Sequence, residues 1–376
     1  MTTIYSILLL LLLFYSCQNN SSEPVHQDLT IEISNLDSSL VYPHERYFSS
    51  IKQLTFGGDN AEGYWSFNSR MLVFQATNLK WNIHCDQIFY IDVTTIPDTI
   101  VIPPMVSTGK GRTTCSYFLP GDSLILYAST HTYDENCPPT GERTIGGKYV
   151  WPIYDSYDIF VADMEGNITS QLTETPGYDA EATVSPRGDR IVFTSMRTGD
   201  PELFTMNIDG SDVRQITDEL GYDGGAFFSP DGTMLVFRAS RPSTDEEKNA
   251  YKELLAQNLV QPTEMELFIC DSDGSNMRQV THLGNANWAP FFHPSGQKIV
   301  FSSNYKSERG FPFNLFMINT DGSGLEQITF DPTFDSFPMF SPDGKYLAFS
   351  SNRNNNGTRD TNLFIAKWVN NVSLIK

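Results

Sequence analysis

The side chains best suited to chemistry in this chain are acidic and aromatic residues that recur together. Tyr178-Asp179 with Glu181, Tyr222-Asp223, Asn287-Trp288 and Asp335 each stand a few residues ahead of a Pro-centred turn, and Arg112 and Arg238 add positive charge nearby in the pattern. Carboxylates in such a setting can hold a cation or a basic group, or act on a glycosidic bond, while aromatic faces stack on sugars or apolar side chains. A pair such as Asp179 and Asp223 would suit Ca²⁺ through oxygen; no other cofactor is implied. Motifs for other chemistries are missing from the sequence: it has no Gly-x-Ser-x-Gly elbow, no His-Glu-x-x-His, no phosphate-binding glycine loop and no Cys-x-x-Cys pair. His44, His84, His131, His282 and His293 are scattered. The formal charge of −20 argues against binding nucleic acid.

What must position these residues is a repeat. Phe340-Ser341-Pro342-Asp343-Gly344 has an earlier copy in Phe228-Ser229-Pro230-Asp231-Gly232, with variants at Val184-Ser185-Pro186, Phe292-His293-Pro294, Phe118-Leu119-Pro120 and Trp65-Ser66-Phe67-Asn68. Gln-x-Thr follows the same cycle at Gln53, Gln171, Gln215, Gln279 and Gln327, and Asp-Gly or Glu-Gly turns lie between at Asp209, Asp273, Asp321 and Glu165. In Ser-Pro-Asp-Gly the proline presets φ and the glycine takes the positive φ of a tight turn; Asp-Gly is a strong hairpin signal. Each unit therefore reads as four short antiparallel strands, and the period of roughly 44 to 66 residues is near that of propeller blades. Four residues before the Pro position stand Gly63, Ser116, Ala182, Ala226, Pro290 and Pro338, a column expected to crowd the ring axis. Two before it stand Trp65, Phe118, Val184, Phe228, Phe292 and Phe340, expected to pack between blades.

This spacing resembles the WD40-like repeat of the TolB-type β-propeller over roughly residues 47–369. The resemblance implies an all-β, six-bladed propeller of four-stranded antiparallel blades, with the strand around Ile51–Thr55 completing the last blade and closing the ring. Propellers of this repeat class also occur in prolyl-oligopeptidase-type enzymes, whose catalytic domain has no counterpart here, and in oligogalacturonate lyases, whose channel histidines are not matched by these scattered ones. TolB itself carries a separate N-terminal α/β domain that this sequence does not show.

In such blades the Ser-Pro-Asp-Gly turns share one face, so the segments leading into each first strand meet on the other. Those segments contribute Asp59, Glu62, Arg112, Tyr178, Asp179, Glu181, Tyr222, Asp223, Asn287, Trp288, Asp335 and Phe337, and the connections beside them add His131, Arg238, Arg241, Asn304, Asn352 and Arg353. An acidic-aromatic funnel at one mouth follows as the binding face. Two long insertions overlook it. Ser129 to Tyr157 is rich in Gly and Pro, whereas residues 243–260 open with the capping-box pattern Ser243-Thr244-Asp245-Glu246-Glu247 and continue at helical spacing through Tyr251, Leu254, Leu255 and Leu259. One disulfide is expected among Cys85, Cys115 and Cys137, with Cys115 as the favoured member; Cys270 reads as a buried thiol.

The apolar run Ile4 to Tyr15, too short to span a bilayer, ends at Ser16-Cys17 and a polar tract. It resembles a bacterial lipoprotein signal, which implies acylation of Cys17, a flexible tether over residues 18–46 and a place in the cell envelope at the outer membrane, held by lipid alone. The expected role is a non-catalytic lipoprotein whose long-loop face binds an envelope protein or peptide; the alternative is a carbohydrate-binding or glycan-cleaving propeller. Replacing Cys17 by Ser should abolish palmitate labelling and move the protein from the membrane to the soluble fraction on cell fractionation.

Overall fold

Second strands such as Arg190–Ser195, Met234–Ala239 and Lys298–Ser303 are buried almost throughout. Unbroken apolar runs of this kind arise when a sheet is covered on both faces, and here each blade is sandwiched between two others. Fourth strands such as Arg214–Gln215 are short and exposed, as the outer rim requires. The computed structural model describes residues 31–95, 101–141, 143–308 and 310–370; the segment expected to act as a signal, with Cys17, lies outside them. From Ile33 onward the chain is one unit.

Six antiparallel sheets form the six blades. Five have four strands; the blade starting at Asp59 has three, and a bridge from Phe89 to Met105 stands in for the fourth. In the last blade the fourth strand is Phe48–Gln53, which pairs with Asn362–Trp368. The N-terminal strand thus closes the ring, and no open sheet edge is left where the chain's two ends meet.

Each repeated motif has a mechanical duty. In every Gln-x-Thr the Gln amide donates to the Thr carbonyl two residues on, at 2.7–2.9 Å. The Thr hydroxyl accepts the backbone N–H that begins the blade's third strand: Ile159, Leu203, Leu267, Leu315 and, across the closure, Leu363, at 2.8–2.9 Å. The Ser-Pro-Asp-Gly turns stack on one another around the ring. A Cβ on Gly188 would lie 2.5 Å from Pro120 of the preceding turn, so glycine is required there for packing as well as for its φ of +70°.

The column of small residues does not crowd the axis as expected. Gly63 packs on Leu363 of the neighbouring blade, and Ala226 joins a cluster with Val192 and Leu203 of another. Small side chains let blades approach; a different column faces the axis.

Residues 33–46, expected to be the end of a flexible tether, are instead part of the propeller unit. Asp37 bridges Ile51, and the carboxylate of Glu45, 2 % exposed, meets the guanidinium of Arg353 at 3.0 Å. The blade-four insertion forms the helix Asp245–Leu255, with Thr244 and Glu247 making the reciprocal capping box, a motif whose cap alone stabilises by about 1 kcal/mol. Among the described residues no helix is long and apolar enough to cross a membrane. Ile51 is fully buried in the cluster that joins the closing strand to Leu347, Phe349 and Phe364. Ile51→Ala should cost about 3 kcal/mol in urea unfolding, as for other buried aliphatic truncations.

Candidate functional site

Every blade's first strand contains a β-bulge in its middle. At the bulge sits a residue with positive φ: Glu62, Cys115, Glu181, Gly225, Ala289 and Phe337, all between 45° and 60°. Five of the six are not glycine, and each such residue costs of order 1 kcal/mol in backbone strain. The bulge re-aims the side chain, and all six line one cavity of about 660 Å³ at the long-loop mouth.

Two residues further along, Tyr64, Tyr117, Phe227 and Phe291 meet with ring centroids 5.2–6.4 Å apart. Tyr64 of the first blade touches Phe227 of the fourth, so this aromatic packing crosses the axis. It separates the cavity from a smaller one, about 300 Å³, on the Ser-Pro face. The site is a blind cup.

The two insertions build its wall. Leu259–Val260 of one pairs with Trp151–Pro152 of the other, and Ile153, Tyr157, Tyr178, Tyr222 and Val260 share an apolar cluster against which Tyr251, Leu255 and Trp288 pack. Trp151 and Trp288 lie 5.0 Å apart at 50°, and Trp288 stacks on Phe313 at 4.5 Å. The disulfide is Cys85–Cys137, which ties the first blade to the second blade's insertion. The expected participant Cys115 is free, because its left-handed backbone directs it into the cup. A loop of 52 residues closed in this way is worth about 4 kcal/mol in the chain-entropy model.

Charges in the cup are largely self-matched. Glu181 accepts from the hydroxyls of Tyr178 (3.2 Å), Thr194 (3.3 Å) and Tyr222, from the Gly225 N–H (2.5 Å) and from Arg238 Nη2 (2.9 Å). The Arg238 guanidinium also lies over the rings of Trp151 and Tyr222. Glycine at 225 leaves room for this guanidinium, since a Cβ there would sit 1.9 Å from Arg238 Nη1 and displace it. Arg112 pairs with Asp86 at 2.5 Å. Among the described residues Glu62 forms no salt bridge: its Oε2 is buried without a hydrogen bond, and its side chain bonds with Cys115. Burial, aided by the charge of Glu181, pushes its carboxyl up to about 7 against the opposing effects of Cys115 and Arg238.

Of the ten residues singled out from sequence, Arg112, Tyr178, Glu181, Tyr222, Arg238 and Trp288 line the cup. Asp179, Asp223, Asn287 and Asp335 do not. Each is at most 1 % exposed and is spent inside the propeller frame. Asp179 pairs with Arg197, Asp223 with Arg241 and Asp335 with Arg353; the separation is 18 residues each time. In the fifth blade Tyr305 stands where these three carry that Arg, and the acid is correspondingly the neutral Asn287, which accepts from Ser303. The Ca²⁺ expectation drew on Asp179 and Asp223, and each of these is neutralised by an arginine of its own blade. Among the described residues no group of three or more His, Cys, Asp or Glu is gathered as metal ligands would be. Sequence reasoning missed Tyr64, Trp151, Tyr154, Tyr157 and Phe313, which also line the cup; the bulge column, counted five before each Pro position, was the available signal for its inner ring.

The molecule is thus a six-bladed β-propeller with one mouth closed into an aromatic cup. Residues 150–261 match the family of the TolB beta propeller domain, and the fold as a whole is that of a TolB-like propeller. Among solved structures, a protein described as a TolB from Agrobacterium tumefaciens is 18 % identical with a TM-score of 0.52, over 83 % of this chain and 91 % of that one. TolB from Acinetobacter baumannii is 16 % identical at 0.49, over 82 % and 63 %. An oligogalacturonate lyase in complex with manganese is 14 % identical at 0.46, over 86 % and 94 %. No curated protein sequence matches the chain.

Because the value for Glu62 in the folded protein lies above its ordinary 4.5, the stabilisation it contributes is complete below that pH and is lost as pH rises through about 7. Glu62→Gln should therefore melt above wild type at pH 8, with the difference closing by pH 5, as read by thermal denaturation.

Proposed function

We infer that this propeller is a non-catalytic binding module whose aromatic cup takes a segment of an envelope protein or peptide. The observation that carries this reading is the cup itself: a blind, mostly apolar cavity of about 660 Å³, of the size that buries a small ligand or a few side chains. Glu181 is committed to the frame of the cup. With five donors on its two oxygens, it has no capacity left to accept a substrate proton. A compartment outside the cytoplasm is supported by the Cys85–Cys137 disulfide and by the lipoprotein-type signal ending at Cys17. An anchor there would leave the membrane in contact with lipid chains only, and the propeller free to meet its partner.

Glycan recognition is the second reading, favoured by the paired rings of Trp151 and Trp288 at the mouth, since tryptophan faces stack on sugar rings. The two readings separate by experiment. A photo-crosslinking residue in place of Phe311, which is 63 % exposed and lines the cup rim, should give a discrete protein adduct in intact envelopes. Trp288→Ala, with an unchanged melting profile, should reduce that adduct at least ten-fold. No protein adduct, together with retention on a glycan array, would replace the first reading by the second.

A further inference from the structure

Within the cup the charges can be counted. Glu181 is matched by Arg238 at 2.9 Å and Asp86 by Arg112 at 2.5 Å. Arg143, the other charged group on the wall, stands at the exposed rim. One carboxylate has no arginine against it among the described residues. Glu62 is fixed in the inner ring by a left-handed bulge, its φ of 57° turning the side chain towards the axis. One of its oxygens is buried without any partner among the described residues. A carboxylate oxygen buried without a partner is costly and is relieved by a group that brings both a hydrogen-bond donor and positive charge. The surroundings favour such a group, because the electron-rich faces of aromatic rings stabilise an ammonium ion. The net charge of −20 raises the local concentration of cations around the whole chain.

We propose that the cup recognises a protonated primary amine, seated on the Glu62 carboxylate and surrounded by the aromatic side chains of the same cavity, among them Tyr64, Trp151 and Trp288. This rests on the cup being a binding site and specifies the chemistry of what enters it. The Glu62 carboxyl faces Cys115, Tyr64, Glu181, Asp86 and Arg238. Of these, the acids repel its ionised form and Arg238, already paired with Glu181, favours it, so an arriving ammonium supplies the direct contact that Glu62 lacks among the described residues. Amine binding near neutral pH then releases the proton that burial keeps on Glu62. The amine belongs to a peptide N-terminus or lysine, or to an amino sugar.

Two probes of nearly equal shape isolate the charge: tyramine, and tyrosol, in which a hydroxyl replaces the amine. Titration calorimetry of the purified propeller at pH 8 should show tyramine binding at least ten-fold tighter than tyrosol. At pH 7 the tyramine heat should change with the ionisation enthalpy of the buffer. Glu62→Gln, an isosteric change, should bring the ratio to about one and leave tyrosol unaffected. A short peptide against its N-acetylated form, and glucosamine against glucose, identify the source; at least one pair must reproduce the Glu62-dependent preference. Equal affinity of tyramine and tyrosol overturns the amine while leaving the cup a binding site, and an amine preference surviving in Glu62→Gln overturns the assignment to this carboxylate. Binding of neither probe also overturns the proposal, and the crosslinking at Phe311 then judges the cup on its own.

Discussion

One backbone constraint governs the interior of this protein: a left-handed residue at the bulge of every first strand. A regular strand would alternate its side chains between the two neighbouring blades and offer nothing to the axis. The bulge breaks that alternation, and Glu62, Cys115, Glu181, Gly225, Ala289 and Phe337 turn inward to line the cup. Backbone strain at five non-glycine residues persists because the flanking pairs of each strand are held in register on both sides of the bulge.

Around that constraint the blades are joined by small, repeated contacts. Thr55, Thr173, Thr217, Thr281 and Thr329 each fasten a fourth strand to a third through one hydroxyl. In the last blade this bond spans the two ends of the chain, so closure uses the same device as every other blade. Buried ion pairs hold the connections at the mouth. Arg353 joins Asp335 of its own blade to Glu45 ahead of the closing strand, all three almost completely buried. Removing one member would strand the others as unpaired charges, which is why such sets are costly to break even when their net contribution is small.

The mouth departs from six-fold regularity where the binding surface lies. The insertions of the second and fourth blades meet as a two-stranded ribbon, and the Cys85–Cys137 bond holds the first of them to its neighbour. Their aromatic residues convert an open funnel into a walled cup. The smaller cavity lies on the Ser-Pro face. Repetition builds the frame, and the two insertions make one mouth different from the other.

Local chemistry was legible in the residues themselves. Ser-Pro-Asp-Gly specifies a turn by the φ of its proline and glycine, Thr244 with Glu247 specifies a helix start, and the Gln-x-Thr preceding the first blade announces the closing strand. These features act over a few residues, so sequence alone determined the blade count, the register and the face on which the long connections meet. Side-chain assignment across strands was a tertiary matter. Asp179, Asp223 and Asp335 read as free rim acids because their arginines stand 18 residues away and become partners only through strand pairing. The inner ring was hidden for a different reason: Glu, Cys, Gly, Ala and Phe share no side-chain property, only a backbone angle that the bulge imposes. Three-dimensional packing alone decided that Cys137 meets Cys85, that the channel is blind, and that Glu62 lines the cup without a salt bridge among the described residues.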